Sequence, residues 1–125
     1  MTENELASIV VDCCFHIHKS LGPGLFESVY EEVLSYELAK RGLVVKRQIE
    51  VPVQWDDIYI GIGFRADIIV ESKLIIELKS VEHVLPVHQK QLLTYLKLTD
   101  LKLGLLINFN ESLIKNGIQR IVNGL

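Results

Sequence analysis

Leu6, Ile9, Val10, Cys13, Cys14, Ile17 and Leu21 recur at three- and four-residue intervals, the repeat of one helix face. Thr2 and Glu5 stand three apart ahead of that run, as in a capping box, so a helix is predicted from the start of the chain. Gly22-Pro23-Gly24 ends it. A second helix is predicted from about Leu25 to Arg41, with Gly42 as its cap and Phe26, Val29, Tyr30, Val33, Leu34 and Leu38 as its core stripe. The period then shortens to two. Val44 to Val53 reads as a strand rich in β-branched residues, and Asp56-Asp57 as a turn. Ile58, Ile60 and Ile62 alternate in a strand running to about Phe64. Ala66 to Val70 and Leu74 to Leu78 are predicted as a separate hairpin across Glu71-Ser72-Lys73. Pro86 opens a helix to about Thr99. Leu101 to Asn108 has no polar face, the mark of a strand buried on both sides, and Gly117 to Val122 reads as one more short strand. The order ααββββαββ predicts an α/β fold with a mixed central β-sheet flanked by α-helices.

Composition places these elements in one domain over residues 1–125. The chain is 49% apolar and 23% charged, which is globular and sufficient for a core without disulfide or metal staples. The net charge of −3 argues against a general nucleic-acid coat, which would be basic. It leaves room for an enzyme with clustered carboxylates, since the remaining formal charges cancel once Glu27, Asp67 and Glu77 are set aside. The adjacent Cys13 and Cys14 have no zinc-ligand spacing and read as small apolar residues of a reducing compartment. Glu3, Glu5 and Asp12 interrupt any apolar leader, and no run approaches the ~18 apolar residues of a membrane span. A cytoplasmic protein with no membrane attachment is expected.

Three segments carry candidate chemistry. In the first, Glu77 and Lys79 lie two apart on one strand and therefore share a face, while Leu78 points the other way. A hairpin centred on Ser72 brings Asp67 opposite Glu77. Two carboxylates and an ammonium then converge between apolar flanks. Burying them is costly unless they pair or bind a cation. A hard divalent ion would satisfy both carboxylates, and the lysine could steady charge developing on a phosphate. The simpler alternative is a surface ion pair between Glu77 and Lys79. In the second segment, Glu27 opens a helix, where a carboxylate meets the positive dipole end. Its helical phase also puts it on the line of Leu34 and Leu38, at the border of the buried stripe. In the third, His88, Gln91 and Tyr95 share a helix face that could be solvated or could border the carboxylates. His16, His18 and His83 form no ligand spacing and read as structural or exposed; Trp55 and Tyr59 are too few for a base-stacking platform.

Taken in order, these segments resemble the PD-(D/E)XK nuclease-like superfamily, and within it the small GxxExxY proteins. Gly24, Glu27 and Tyr30 match the GxxExxY motif; Asp67, Glu77 and Lys79 match the D…ExK core; Gln91 and Tyr95 match the QxxxY helix motif of RecB-like nucleases. The resemblance spans about Leu6 to Leu125. It implies a restriction-endonuclease-like core and Mg²⁺ or Mn²⁺ held by Asp67, Glu77 and the Leu78 carbonyl, with Glu27 contributing directly or through water. Lys79 would position the attacking water, and Gln91 and Tyr95 would support the site or hold nucleic acid. The reaction implied is phosphodiester hydrolysis, with DNA as the expected partner. Ala66 stands where the family's proline would be, and no separate recognition domain accompanies the core. A duplex-cutting enzyme needs two active sites or two visits, a need that a homodimer would meet. Two other readings stay open on the residues alone: a non-enzymatic module on the same fold that binds nucleic acid or a partner protein, and a structural ion network in an unrelated α/β domain.

Overall fold

The computed structural model describes all 125 residues. Helix α1 (Glu3–Leu21) begins at a complete capping box, with the Thr2 hydroxyl accepting from the Glu5 N–H and the Glu5 carboxylate accepting from the Thr2 N–H. Helix α2 (Glu27–Lys40) lies beside it. Strands β1 (Val45–Trp55), β2 (Ile58–Val70) and β3 (Leu74–Lys79) follow as antiparallel neighbours. Helix α3 (Pro86–Thr99) then carries the chain to β4 (Leu103–Asn108), parallel to β3, and a 3₁₀ turn (Ile114–Gly117) leads into β5 (Ile118–Val122). The five strands form one mixed sheet in the order β1-β2-β3-β4-β5. This is the restriction-endonuclease-like α/β arrangement, with α1 and α2 on one face and α3 on the other.

Burial explains the pattern. Strands β3 and β4 are sandwiched between helix layers, so Leu74–Leu78 and Leu103–Asn108 are buried throughout and tolerate no polar alternation. Ile68, Val70, Leu74, Ile76 and Leu78 join the large core under α1 and α2. Phe64, Ala66, Ile75 and Leu106 join Leu92 and Leu96 in a smaller core under α3. Helix α3 approaches so closely that a Cβ on Gly104 would meet the Leu92 side chain at 2.9 Å.

Two expectations are corrected. The strand to Phe64 and the strand from Ala66 are one, because Arg65 pairs regularly with Glu50 and no turn residue separates them. The core stripe of α2 also omits Phe26 and Val29. Phe26 is the extended residue ahead of the helix and is 82% exposed, so it lies outside the helical phase altogether. Tyr30, Leu34 and Leu38 form the buried stripe, with Val33 partly buried.

The long β1–β2 ribbon has a crease. Ala66 and Ile68 would share a face in a regular strand, yet Ala66 lies in the α3-side core and Ile68 in the α1–α2 core. The same switch occurs in β1, where Val45 packs with the large core and Ile49 and Val51 with the small one. Between them sit Asp67 and Gln48, and Gln48 has φ of 50°, in the left-handed region uncommon for a non-glycine residue. The crease turns the ribbon over at the position of Asp67.

Candidate metal and nuclease site

The carboxyl ends of β3 and β4 are held together by side chains and backbone. Asn108 is buried; its amide donates to the Val81 carbonyl (2.9 Å), and its oxygen accepts from the Val81 (3.1 Å) and Asn110 (3.2 Å) N–H groups. The Phe109 N–H donates to the Lys79 carbonyl at 2.9 Å. On the other side, the loop ahead of α2 is clamped by Tyr30. Its hydroxyl donates to the Gly22 carbonyl at 2.6 Å and accepts from the Leu25 N–H at 3.1 Å, while its ring stacks on Phe109 at 4.3 Å. The clamped loop reaches β3: Ser80 Oγ donates to the Leu25 carbonyl at 2.6 Å, and the Ser80 N–H donates to Glu27 Oε1 at 3.3 Å. Replacing Tyr30 with Phe keeps the stack and removes both hydrogen bonds. A loss of roughly 1–2 kcal/mol is expected by urea denaturation; an unchanged midpoint would show that the hydroxyl does not hold the loop.

Asp67 sits at the crease, the next residue along from the Ile68↔Ile76 pair, which sets it beside Glu77. Its Oδ2 accepts from the Leu78 N–H at 2.9 Å. Glu77 and Lys79 face the α3 side, whereas the Leu78 side chain is buried in the α1–α2 core. Glu77 is only 8% exposed, and its Oε1 has no hydrogen-bond partner. Burial foremost, then the negative charge of Asp67, pushes its carboxyl up to about 9. The Lys79 ammonium acts the other way but forms no ion pair, so the surface Glu77–Lys79 pair is not what the chain builds. Tyr95 stacks on Phe64 at 3.8 Å; burial, Glu77 and Asp67 together raise its hydroxyl above the ordinary tyrosine value. Gln91 is exposed on α3 with no side-chain bond to this cluster. His88, on the same helix, has a structural role: its Nδ1 accepts from the Leu85 N–H at the start of α3.

A cavity of about 400 Å³ opens beside Asp67, lined by Glu27, Ser28, Glu31, Gln48, Asp67 and Leu78. Glu27 reaches it from the exposed first turn of α2; the border position of a buried stripe expected for it is occupied instead by Glu31, one turn further on and buried. Glu31 is already satisfied. Arg47 donates to its Oε2 at 3.0 and 3.2 Å, and Gln48 donates to its Oε1. The Gln48 amide also lies 3.4 Å from Asp67 Oδ1, linking the two carboxylates. Sequence reasoning missed Glu31, Arg47 and Gln48; the available signal was an Arg-Gln pair interrupting a β-branched strand, one helical turn after Glu27 in the partner element.

No three His, Cys, Asp or Glu side chains converge into a complete metal cage. Glu27 and Asp67 border the cavity, while Glu77 lies on the other side of Asp67, toward α3. The donor set nevertheless suits one hard cation. The Glu77 oxygen has no partner, and ionising Glu77 beside Asp67 is opposed by repulsion between the two carboxylates, a cost that a divalent ion held by both would remove. Leu78 lines the cavity, and its side chain belongs to the core under α1 and α2, the side from which Glu27 and Glu31 approach.

No helix is long and apolar enough to cross a membrane. A search of the curated proteins finds no match to the chain, and neither does one of the solved structures. A family model described as the PD-(D/E)XK nuclease superfamily matches residues 4–121. Nucleases of that superfamily act on nucleic acid and generally use divalent metal ions. With its mixed sheet, its Asp67 and Glu77-Leu78-Lys79 on neighbouring strands and a match over nearly its whole length, the chain belongs to the PD-(D/E)XK nuclease superfamily.

Proposed function

We propose that this chain is a Mg²⁺- or Mn²⁺-dependent nuclease of the GxxExxY group that hydrolyses phosphodiester bonds, with DNA as its substrate. The observation that carries the reading is the buried Glu77 carboxylate, one oxygen without a partner, beside Asp67. An isolated buried carboxylate with no partner costs several kcal/mol by effective desolvation, and a divalent ion removes that cost. Asp67, Glu77 and the Leu78 carbonyl would hold the ion, with Glu27 reaching it from the α2 side of the cavity. When bound, the ion supplies positive charge at the phosphate and acidifies the attacking water.

The protein's own groups do the rest. The Leu78 N–H fixes Asp67 Oδ2, leaving Oδ1 toward Gln48. Lys79, on the Glu77 face and free of any ion pair, can orient water or steady charge on a phosphate oxygen. Tyr95 backs the carboxylates from α3, and Gln91, exposed on the same helix, would contact nucleic acid. Buried free thiols at Cys13 and Cys14 support a reducing, cytoplasmic setting. A non-catalytic module on the same fold is the second reading, favoured by the absence of a three-carboxylate cage and by the engagement of Glu31 with Arg47.

Calorimetric titration with Mn²⁺ separates the two. The native chain is expected to bind the ion, and Asp67→Ala to lose at least about 10–100-fold in affinity. Equal binding by both proteins, or none by either in the presence of a DNA duplex, would overturn the proposed site.

A further inference from the structure

Phe26 breaks the local rules of its position. It is the N-cap of α2, where Ser, Thr, Asp or Asn would accept a hydrogen bond from the first turn, and its side chain caps nothing. It does not serve the core either. At 82% it is the most exposed large apolar side chain of the protein. Nor does its ring fix the entry to the helix, which is held by backbone groups. The Leu25 N–H donates to Tyr30 Oη, the Leu25 carbonyl accepts from Ser80 Oγ, and the Phe26 carbonyl accepts from the Val29 N–H at 3.0 Å. Departures of this kind, with no structural gain to offset them, are expected where a protein meets a ligand.

Its place in the fold says which ligand. Phe26 lines a cavity of about 480 Å³ with Gly24, Leu25, Glu27, Ser80 and Asn110. Glu27 also lines the cavity beside Asp67, so the two spaces share a wall. The chain neighbours of two candidate site residues face each other across it: Phe26 precedes Glu27, and Ser80 follows Lys79. The clamped backbone on either side of the ring is ordered before anything binds, which lowers the entropy cost of a contact there.

The lining does not suit a phosphate. It includes no lysine, arginine or histidine, and its one charge is the Glu27 carboxylate, which repels an anion. What it offers is an aromatic ring and the Asn110 side-chain amide, a donor and an acceptor with no hydrogen bond inside the protein. A flat, uncharged ring with hydrogen-bonding edges complements that pair, and on a nucleic acid such a group is a base. A base within a duplex is already stacked on both faces. Only an unpaired base has a face free for an aromatic side chain.

We propose that Phe26 stacks on an unpaired nucleobase beside the scissile phosphate, with Asn110 at the edge of that base, and that the chain acts on single-stranded DNA and not on intact duplex. The choice of ligand rests on the nuclease reading above and narrows it to a substrate class. It also accounts for nucleic-acid binding by a chain of net charge −3. Stacking holds a strand without a basic surface, and it tolerates any base because every base has a π face.

Fluorescence anisotropy with a short labelled thymidine strand, its linkages phosphorothioate to slow cleavage, tests it in Mn²⁺. The native chain is expected to bind the strand more tightly than a blunt duplex of the same length. Phe26→Ser is expected to lose about 10–100-fold in strand affinity. Its urea midpoint should stay at or above the native one, because serine is the better cap. Phe26→Tyr should keep the affinity. A merely structural Phe26 would not give weaker binding together with undiminished stability. A native chain that binds no strand, a duplex bound as tightly as the strand, equal binding by native and Phe26→Ser, or a loss in Phe26→Tyr as large as in Phe26→Ser would each overturn the proposal. Asp67→Ala separates it from the metal reading. If Mn²⁺ binding depends on Asp67 while strand binding ignores Phe26, the stacking falls and the metal site stands. If strand binding depends on Phe26 while no Mn²⁺ binds, the stacking stands and the metal site falls.

Discussion

Lys79→Ala is expected to lower the single-turnover rate of Mn²⁺-supported DNA cleavage by about 10²–10³-fold, or roughly 3–4 kcal/mol of transition-state stabilisation. Lys79 stands on the Glu77 face of β3 and has no carboxylate within ion-pair distance, so its ammonium is not committed to holding the fold. Its positive charge opposes the upward shift of Glu77, which places it within the field of the cluster. Removing it should therefore leave Mn²⁺ affinity in place or raise it slightly, because a competing cation is gone. The signature is a fall in rate without a fall in metal binding. Cleavage as fast as native would remove Lys79 from the chemistry. Loss of rate and metal binding together, with a lowered unfolding midpoint, would make it a structural residue.

The elements that periodicity foretold are those whose burial is one-sided or complete. α1 carries an uninterrupted apolar face and a capping box, and β3 and β4 read as apolar runs because helices cover both of their faces. The neighbourhood of Asp67 and Glu77 was legible for a geometric reason. The Glu71-Ser72-Lys73 turn fixes Val70 against Leu74, and counting inward from it brings Asp67 to Glu77. What the pattern could not carry was the crease. A left-handed Gln48 has no sequence mark of the kind a glycine would leave, so the change of face between Ala66 and Ile68 is set by tertiary packing alone. The stretch of β2 that β3 does not cover is hidden for a related reason: β2 is 13 residues long and β3 six, and only the pairing shows where the shorter strand ends beside the longer one.

Glu27 shows how a correct phase can mislead. Its angle on the helical wheel matches Leu34 and Leu38, but α2 starts at Glu27, and side chains of a first turn lean past the helix end. It therefore leaves the core and meets the Ser80 N–H over the end of β3. The buried carboxylate of α2 is Glu31, which only the placement of Arg47 and Gln48 from β1 makes tolerable. Helical phase gave no access to that pairing, since it joins residues 16 and 17 positions apart.

The metal-free chain is expected to lose stability as pH rises from about 5 to about 9, and Glu77→Gln to remove most of that loss. In the unfolded chain a glutamate ionises near pH ~4.3. In the folded chain Glu77 holds its proton up to about 9, because burial and the neighbouring Asp67 charge disfavour the carboxylate. Between those values the folded state binds one proton more than the unfolded state, so the slope of stability against pH is negative, at most about 1.4 kcal/mol per pH unit for this group. The contribution is present in full below the unfolded value and is lost as pH climbs through the folded one. Glutamine keeps the shape without the charge and should flatten the curve, leaving the variant more stable than the native chain at about pH 9 without metal. A divalent ion should reverse the ranking. Its binding displaces the Glu77 proton, tightens as pH rises toward 9, and stabilises the native chain by RT ln(1 + [L]/Kd), a gain Glu77→Gln largely forgoes. Urea denaturation at both ends of the range, with Mg²⁺ and with chelator, reads all four arms. Parallel curves for the two proteins in chelator would mean that Glu77 ionises normally, and the strongest physical argument for a metal at this site would go with it.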